Sequence, residues 1–198
     1  MMKPITVAFF GISGSGKGTQ CELLENYLRE QDAKRGILRP EMGNLLREFM
    51  RTGTMFAKNV EEILTSGGLV PSFMPIYLLT KVVNESFDGT QHVILDGTCR
   101  RPDQSRAAND IMRMFGRDDL RAIVLTLSKD AARSRLKARG RFDDVTEEAL
   151  DKRFAWYQEQ VVPSIEALRE LGWKILEIDG EPDVDTIHKN ILVALDLA

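Results

Sequence analysis

TVAFFGISGSGKGTQ, residues Thr6–Gln20, is the stretch of sequence that decides the fold. A short, mostly apolar run of strand-forming residues leads into glycines, a lysine, a threonine and then a helical pattern. The stretch fits G-x-x-x-x-G-K with Gly11, Gly16 and Lys17, between a predicted strand and a predicted helix, as a phosphate-binding loop requires. We therefore predict a nucleotide phosphate site at this point of the chain.

The chemistry of this loop follows from its glycines and from the helix behind it. Glycines have no side chain to block a tight turn, so successive backbone N–H groups can converge on phosphate oxygens. The helix that begins near Gly16 directs the positive end of its dipole at the same anion, and Lys17 neutralises the outer phosphates. The predicted phosphate contacts are Gly14, Ser15, Gly16, Lys17, Gly18 and Thr19.

Composition and length exclude several classes of protein. At 198 residues the chain fits one domain, and its 43% hydrophobic and 29% charged residues are typical of a globular protein. A net charge of −3 argues against a general nucleic-acid binder. No apolar run approaches the ~20 residues of a membrane span, and no signal peptide is recognisable. We expect a cytoplasmic monomer without nucleic-acid or membrane partners.

The pattern of elements predicts an α/β fold, with a parallel five-stranded sheet of the P-loop type flanked by helices. Strands are expected at Thr6–Phe10, Gly36–Leu38, His92–Asp96, Ala122–Leu127 and Trp173–Ile178. Helices are expected at about Lys17–Glu30, Glu41–Thr52, Phe56–Ser66, Ser72–Phe87, Asp103–Phe115, Lys129–Arg139, Thr146–Leu171 and Val184–Leu195.

The run HVILDGTCRRPDQ, residues 92–104, carries the second signal. Its buried strand ends in Asp96, where a second parallel strand would bring a carboxylate toward the phosphate loop. Such a carboxylate can hold Mg²⁺ directly or through water, together with Thr19. The alternative is a turn built on the Asp96–Gly97 pair.

The two cysteines, Cys21 and Cys99, are far apart and predict neither a disulfide nor a zinc site.

The loop GSGKGTQ and the pattern LDGxxRxxxQ resemble the nucleoside monophosphate kinase family, which includes the adenylate kinases. The resemblance implies ATP as donor, Mg²⁺ as cofactor, and an acceptor site in which Arg100 binds phosphate and Gln104 reads the base. Arg101 is a competitor for the role of Arg100. The Phe-Pro pair of the family is Thr98–Cys99 here, and since a cis bond before a residue other than proline is costly, we predict a trans or strained peptide.

The acceptor site implied by the resemblance extends over the next helix and loop. EMGNLLR matches the family's acceptor-binding helix, in which Arg47 is the second phosphate clamp and Met42 stands at a base-contacting position. SGGLVPSF matches a loop whose backbone around Leu69 and Val70 lies against the acceptor base in the family. Ser72 can cap the helix that follows. Gly97, Arg100, Gln104, Arg141 and Arg153 complete the implied acceptor set.

The third match is RSRLKARGRFDDVTEEALDKR, residues 133–153. An exposed helix laced with charges is the ordinary explanation of such a run. The resemblance implies instead that Arg135 stacks near the donor base and that Arg139, Arg141 and Arg153 contact the transferring phosphate. Only Gly140 separates Arg139 from Arg141, so the implied lid is short, and which arginine has which role stays open. Gly180 lies in the loop implied to cover the donor adenine.

The resemblance implies one kinase domain in three parts. The core is expected at about 1–39, 88–139 and 143–198, the acceptor subdomain at about 40–73, and the lid at about 139–143. The implied catalytic residues are Lys17, Arg100, Arg139, Arg141 and Arg153. The leading interpretation is ATP + AMP = 2 ADP. A UMP/CMP-type kinase on the same fold and a nucleotide-binding regulatory protein without transfer activity are the alternatives.

Overall fold

The computed structural model describes residues 2–139 and 147–198, except for the side chain of Arg139. Its strands are β1 (Thr6–Gly11), β2 (Ile37–Leu38), β3 (His92–Asp96), β4 (Leu120–Thr126) and β5 (Lys174–Asp179). Its α-helices are α1 (Lys17–Gln31), α2 (Met42–Met50), α3 (Met55–Thr65), α4 (Phe73–Ser86), α5 (Pro102–Met114), α6 (Lys129–Arg139), α7 (Glu147–Trp156), α8 (Val162–Glu170) and α9 (Val184–Ala194).

The five strands form one parallel sheet in the order β2-β3-β1-β4-β5, which confirms the expected fold class. Strand β1 lies in the middle, between β3 and β4. The connections from β1 and β4 leave in opposite directions, which in open α/β sheets places a binding crevice at the carboxyl ends of these strands. The glycine-rich loop after β1 therefore opens into that crevice.

Both faces of the sheet are covered, because successive residues of β1 are buried on opposite sides. Ala8 and Phe10 join one apolar cluster, whereas Val7 and Phe9 join the other. This double burial explains why the strand sequence is almost continuously apolar rather than alternating.

The predicted single helix at 146–171 is wrong in detail. Within residues 147–171 the structure has α7, a π-helical turn at Tyr157–Val161, and α8. The N–H of Val162 bonds the carbonyl of Tyr157, five residues back. Pro163 follows at the start of α8 and has no N–H to continue an ordinary α-helical ladder, so the wider turn accommodates it.

Two further findings concern the part of the chain that the structure describes. No peptide bond there is cis, so the trans Thr98–Cys99 bond is as predicted. No helix there is both long enough and apolar enough to cross a bilayer.

Candidate active site

One large cleft lies at the carboxyl edge of the sheet and has a volume of about 520 Å³. Most of the sequence-predicted site residues line it, although they come from distant parts of the chain. They are Gly14, Gly16, Lys17, Gly18, Thr19, Arg47, Asp96, Gly97, Arg100, Arg135 and Arg153. The fold therefore brings the predicted donor residues and the predicted acceptor arginines to one space.

The glycine-rich loop has the shape of an anion cradle. Gly14 and Gly16 have φ values of +87° and +88°, a conformation that L side chains rarely adopt. Ser15 is fully buried, and its N–H donates to the carbonyl of Ile12 at 3.1 Å. Helix α1 begins at Lys17, so its first N–H groups face the cleft. Lys17 Nζ donates to the carbonyls of Gly11 (2.7 Å) and Ile12 (3.0 Å).

Asp96 lies at the end of β3, on the cleft, and forms an ion pair that the sequence analysis did not predict. Arg39 donates from Nη2 to Asp96 Oδ2 at 3.0 Å and to the carbonyl of Gly18 at 3.2 Å. Its Nη1 donates to Glu25 Oε2 at 3.2 Å. Burial alone would lower the pKa of Arg39, but the hydrogen bond to Asp96 and the neighbouring negative charges raise it overall.

The same carboxylate affects Cys21, which is completely buried under the loop. Burial raises the pKa of this thiol well above its usual value, and the charge of Asp96 raises it further. The thiol is therefore protonated and unreactive at neutral pH, as expected for a small buried residue of helix α1.

The oxygen donors near the loop fit a magnesium ion. The Asp96 carboxylate and the Thr19 hydroxyl line the same cleft, and oxygens of these types are the ligands that Mg²⁺ prefers. Arg39 bonds only one of the two carboxylate oxygens, Oδ2. Among the described residues there is no cluster of three or more His, Cys, Asp or Glu side chains that could hold a metal ion on its own. These residues thus suit an ion that keeps most of its waters and arrives with phosphates.

Two arginines predicted to bind the acceptor have defined contacts in the cleft. Arg47, on α2, forms an ion pair with Glu41 at 3.3 Å. Arg100 donates from Nε to the carbonyl of Gly97 at 3.0 Å, and its guanidinium lies 5.9 Å from the ring centroid of Trp156. The indole of Trp156 donates to the carbonyl of Gly67 at 2.9 Å. Trp156 therefore links the arginine to the loop that precedes Leu69.

A second, much smaller pocket of about 10 Å³ adjoins this arginine. It is lined by apolar side chains, by Arg100 and by Gln104. The predicted base-contacting residues meet here: Met42, Leu69, Val70, Gly97 and Gln104. A volume of this size holds about one water molecule, so a nucleobase requires the surrounding helices to move apart.

The role expected of Ser72 as a helix cap is wrong. Ser72 precedes α4 but makes no side-chain cap bond. Its hydroxyl donates instead to Asp103 Oδ1 at 2.9 Å and accepts from Gln104 Nε2 at 3.3 Å. Gln104 Oε1 in turn accepts the N–H of Arg100 at 2.9 Å. Ser72 thus orients the amide of Gln104 at the small pocket.

Arg135, on α6, joins the cleft to the loop after β5. It donates from Nη1 to the carbonyl of Gly180 at 2.9 Å and from Nη2 to the carbonyl of Glu181 at 3.1 Å. The side chain of Glu181 accepts the N–H of Ser128 at 2.9 Å, which fastens the same loop to the start of α6. The two residues implied for the donor base, Arg135 and Gly180, are therefore in direct contact.

Part of the predicted lid lies outside the described residues. Arg141, Asp143 and Asp144 fall in this gap, and the side chain of Arg139 is likewise not described. The helices on either side of the gap are joined by ion pairs. Arg133 pairs with Glu147 and Asp151, and Lys137 Nζ lies 2.8 Å from Glu147 Oε1.

Among the cleft residues that the sequence analysis missed, Arg39, Glu41 and Trp156 make the contacts described above. Arg39 and Glu41 follow the short strand β2, and polar residues at the carboxyl ends of parallel strands are candidates for a site. That signal was available in the sequence. Trp156 had no such signal, because its position depends on the packing of α7 against Gly67.

The comparisons with known proteins agree with this geometry. A family model described as adenylate kinase matches residues 9–172. An adenylate kinase of Mycolicibacterium paratuberculosis is 30% identical over 189 residues, covering 96% of this chain and 98% of that protein. An adenylate kinase of Azobacteroides pseudotrichonymphae is 30% identical over 197 residues, with 97% of each chain covered. An adenylate kinase of Bacteroides fragilis is also 30% identical, with 97% of this chain and 98% of that protein covered. The chain belongs to the adenylate kinase family.

Proposed function

We propose that this protein is a nucleoside monophosphate kinase that catalyses ATP + AMP = 2 ADP. The observation that carries the proposal is the joining, in a single cleft, of a phosphate-binding loop with a separate pair of arginines, Arg47 and Arg100. A protein that only binds a nucleoside triphosphate needs the loop but not the second set of cations. The names of the relatives favour AMP over the UMP/CMP alternative.

The donor half of the proposed site is the loop with Arg135. Backbone N–H groups of residues 14–19 and Lys17 would bind the phosphates of ATP. Arg135 and the backbone at Gly180 would hold the adenine, a role supported by their mutual hydrogen bond at 2.9 Å. The planar guanidinium of Arg135 suits stacking on a base, because it is flat and weakly hydrated.

The acceptor half is proposed to be Arg47 and Arg100 with the small pocket beside them. The two guanidinium groups would bind the acceptor phosphate through paired charge-assisted hydrogen bonds. Gln104 would read the adenine edge with its amide, which offers both a donor and an acceptor. Met42, Leu69, Val70 and Gly97 would form the apolar walls around the base.

Phosphoryl transfer asks the protein for alignment and charge stabilisation rather than for a covalent step. The acceptor oxygen belongs to a phosphate that is already ionised, so no side-chain base is required. Lys17, Arg100 and Arg153 line one cleft and would surround the transferring group with positive charge. Arg139 and Arg141 would add to this charge from the lid.

Magnesium is proposed as the cofactor, with Asp96 and Thr19 holding it, mainly through its water molecules. When bound, the ion neutralises charge on the donor phosphates and orients them for in-line transfer. The ion pair with Arg39, at 3.0 Å, holds the Asp96 carboxylate at the cleft. No protein zinc site is part of the proposal.

Closure of the cleft is proposed to exclude water, which would otherwise hydrolyse the donor. The moving parts are the acceptor subdomain, at about 40–73, and the lid, at about 139–143. The small pocket supports this, since its volume of about 10 Å³ is too small for a base until helices α2 and α4 move.

The proposal is tested by a steady-state assay with ATP and Mg²⁺ against AMP, CMP, UMP, GMP and dTMP, each separately. We expect turnover with AMP and a clearly lower kcat/KM with the other four. An Arg47→Ala variant should raise the KM for AMP, whereas a Lys34→Ala variant, which changes an exposed lysine away from the cleft, should not. Turnover with none of the five acceptors would reject the kinase function.

A further inference from the structure

The segment Arg39–Pro40–Glu41 continues the line of β2 along the end of β3. The carbonyl of Pro40 accepts the N–H of Asp96 at 3.2 Å, and Glu41 pairs with Asp96 as an isolated parallel bridge. In extended chain, residues two apart point to the same side. Arg39 and Glu41 accordingly both line the cleft, one toward the metal-binding carboxylate and one toward the acceptor arginine.

This segment is anchored rather than loose. The guanidinium of Arg39 is held from three sides, by Glu25, Asp96 and the carbonyl of Gly18. Pro40 has a fixed φ and so restricts the backbone between the two charged residues. The backbone of Glu41 is therefore fixed at the start of α2, and its side chain lines the cleft.

The carboxylate of Glu41 is already bound by Arg47, the residue expected to receive the acceptor phosphate, and by Asn44. Its Oε1 accepts from Arg47 Nη2 at 3.3 Å, and its Oε2 accepts from Asn44 Nδ2 at 2.5 Å. The amide oxygen of Asn44 accepts a further hydrogen bond from Arg47. The carboxylate also lies at the N-terminal end of α2, where the helix dipole favours negative charge.

Carboxylate and phosphate are equivalent partners for a guanidinium, since both offer two oxygens to its parallel N–H donors. We propose that Glu41 is a built-in competitor for Arg47, which the acceptor phosphate must displace, and that Glu41 thereby sets the affinity for the acceptor nucleotide. The inference rests on the proposed function in one respect, the assignment of Arg47 to the acceptor phosphate.

A purely structural role for Glu41 predicts something different. Glu41 is the residue before α2, but its side chain makes no cap bond to the helix backbone. Removing its charge therefore costs the helix start no cap hydrogen bond, only the favourable interaction with the helix dipole. It also removes both the competing partner and the repulsion between two anions. A competitor predicts tighter acceptor binding after its removal, whereas a structural residue predicts weaker or unchanged binding.

The experiment compares AMP binding to the full chain and to variants by isothermal titration calorimetry, without ATP. Glu41→Gln keeps the size of the side chain and removes its charge, and Glu41→Ser is a second variant in case the first folds poorly. We expect roughly three- to tenfold tighter AMP binding in both, from one lost ion pair and one lost repulsion. The matched control is Glu48→Gln, the same charge change on an exposed position of α2, which should leave AMP binding unchanged.

Two further variants separate this inference from the proposed function. Arg47→Ala should weaken AMP binding, and in Arg47→Ala/Glu41→Gln the gain from the Gln substitution should largely disappear, because the contested partner is gone. Unchanged AMP binding in Arg47→Ala would reject the assignment of the acceptor site. Weaker AMP binding in Arg47→Ala would support the assignment of the acceptor site. If neither Glu41 variant then bound AMP more tightly than the wild type, the role of Glu41 as a competitor would be overturned.

Discussion

Substituting Gly14 by alanine tests how the phosphate loop depends on the helix packed against it. A Cβ at Gly14 would lie 2.8 Å from the carbonyl oxygen of Ala132 and 3.1 Å from Leu136 Cγ, both on α6. The first of these atoms is backbone, so it cannot swing away as a flexible side chain would. The φ of +87° adds a second penalty.

Two other glycines of the loop separate these penalties. Gly16 has nearly the same φ, +88°, but a Cβ there would meet nothing within 4 Å. Gly18 lies in the first turn of α1 and would also meet nothing within 4 Å. Alanine therefore tests strain plus clash at Gly14, strain alone at Gly16, and neither at Gly18.

The expected costs follow from these differences. The left-handed conformation costs an alanine about 1–2 kcal/mol, of which about 0.4–1 kcal/mol is returned by the stiffer unfolded chain. Gly16→Ala should thus lose about 1 kcal/mol. Overpacking adds about 1–3 kcal/mol, so Gly14→Ala should lose about 3 kcal/mol in total. Gly18→Ala should be neutral or stabilising by up to about 1 kcal/mol.

The assay is urea unfolding of the nucleotide-free protein, followed by far-UV circular dichroism, with thermal melts in parallel. For a chain of this size, about 3 kcal/mol corresponds to a melting temperature lower by roughly 6–12 °C. Equal losses in Gly14→Ala and Gly16→Ala would show that the contact with α6 contributes nothing, and the reasoning would be refuted. A displaced α6 should also raise the KM for ATP in Gly14→Ala, because α6 carries Arg135.

Three other predictions concern single contacts. Arg135→Lys replaces the planar guanidinium, whose Nη1 and Nη2 bond the carbonyls of Gly180 and Glu181, by a compact ammonium without the flat face proposed to stack on the donor base. The KM for ATP should rise about tenfold in steady-state kinetics, while the KM for AMP stays constant. Gln104→Ala removes the amide at the small pocket and should reduce the preference for AMP over CMP, in kcat/KM, by about tenfold or more. Burial lowers the pKa of His92, whose Nδ1 accepts the N–H of Ile5 at 3.1 Å. Below about pH 6.5 the unfolded chain therefore binds more protons at this residue than the folded protein does. The free energy of unfolding, measured in urea titrations, should consequently fall from pH 7.5 to pH 5.5.

Each of these predictions has a contrary result. An unchanged KM for ATP in Arg135→Lys would mean that the loop after β5 is not part of the donor site. An unaltered AMP preference in Gln104→Ala would reject its role in reading the base. For the pH effect, His92→Gln should lose less stability than the wild type between pH 7.5 and 5.5, and an identical loss would assign the effect to other groups.

The sequence was sufficient for the elements that local chemistry determines. The apolar runs of β1 and β3 and the glycines between β1 and α1 specify strands and a loop without reference to the rest of the chain. All five strands were predicted, with end positions that differ by only a few residues. The contacts of Ser72 could not be predicted, because its partners lie 31 and 32 residues away and compete with the local cap.

The ion pairs in the cleft were beyond sequence reasoning for a related physical reason. Arg39 meets Asp96 across 57 residues, and this contact depends on β2 lying beside β3 in one particular register. The π-helical turn before Pro163 is similar, since the proline predicts an interruption but not how the backbone accommodates it. Family resemblance supplied Arg47 and Arg100, but it contained nothing about Glu41.

The charges of the cleft explain why substrate binding is an exchange rather than a simple gain of contacts. Lys17 bonds loop carbonyls, Arg39 bonds Asp96, Arg47 bonds Glu41, and Arg100 bonds the carbonyl of Gly97. At the proposed site, each nucleotide phosphate would therefore replace a partner that the cation already has, and only the difference between the two partners would contribute to affinity. A carbonyl is a weaker partner than a carboxylate for the same cation. At the proposed acceptor site, the exchange at Arg47 should consequently return less affinity than a phosphate bond to a guanidinium without a carboxylate partner, because Glu41 must be displaced first.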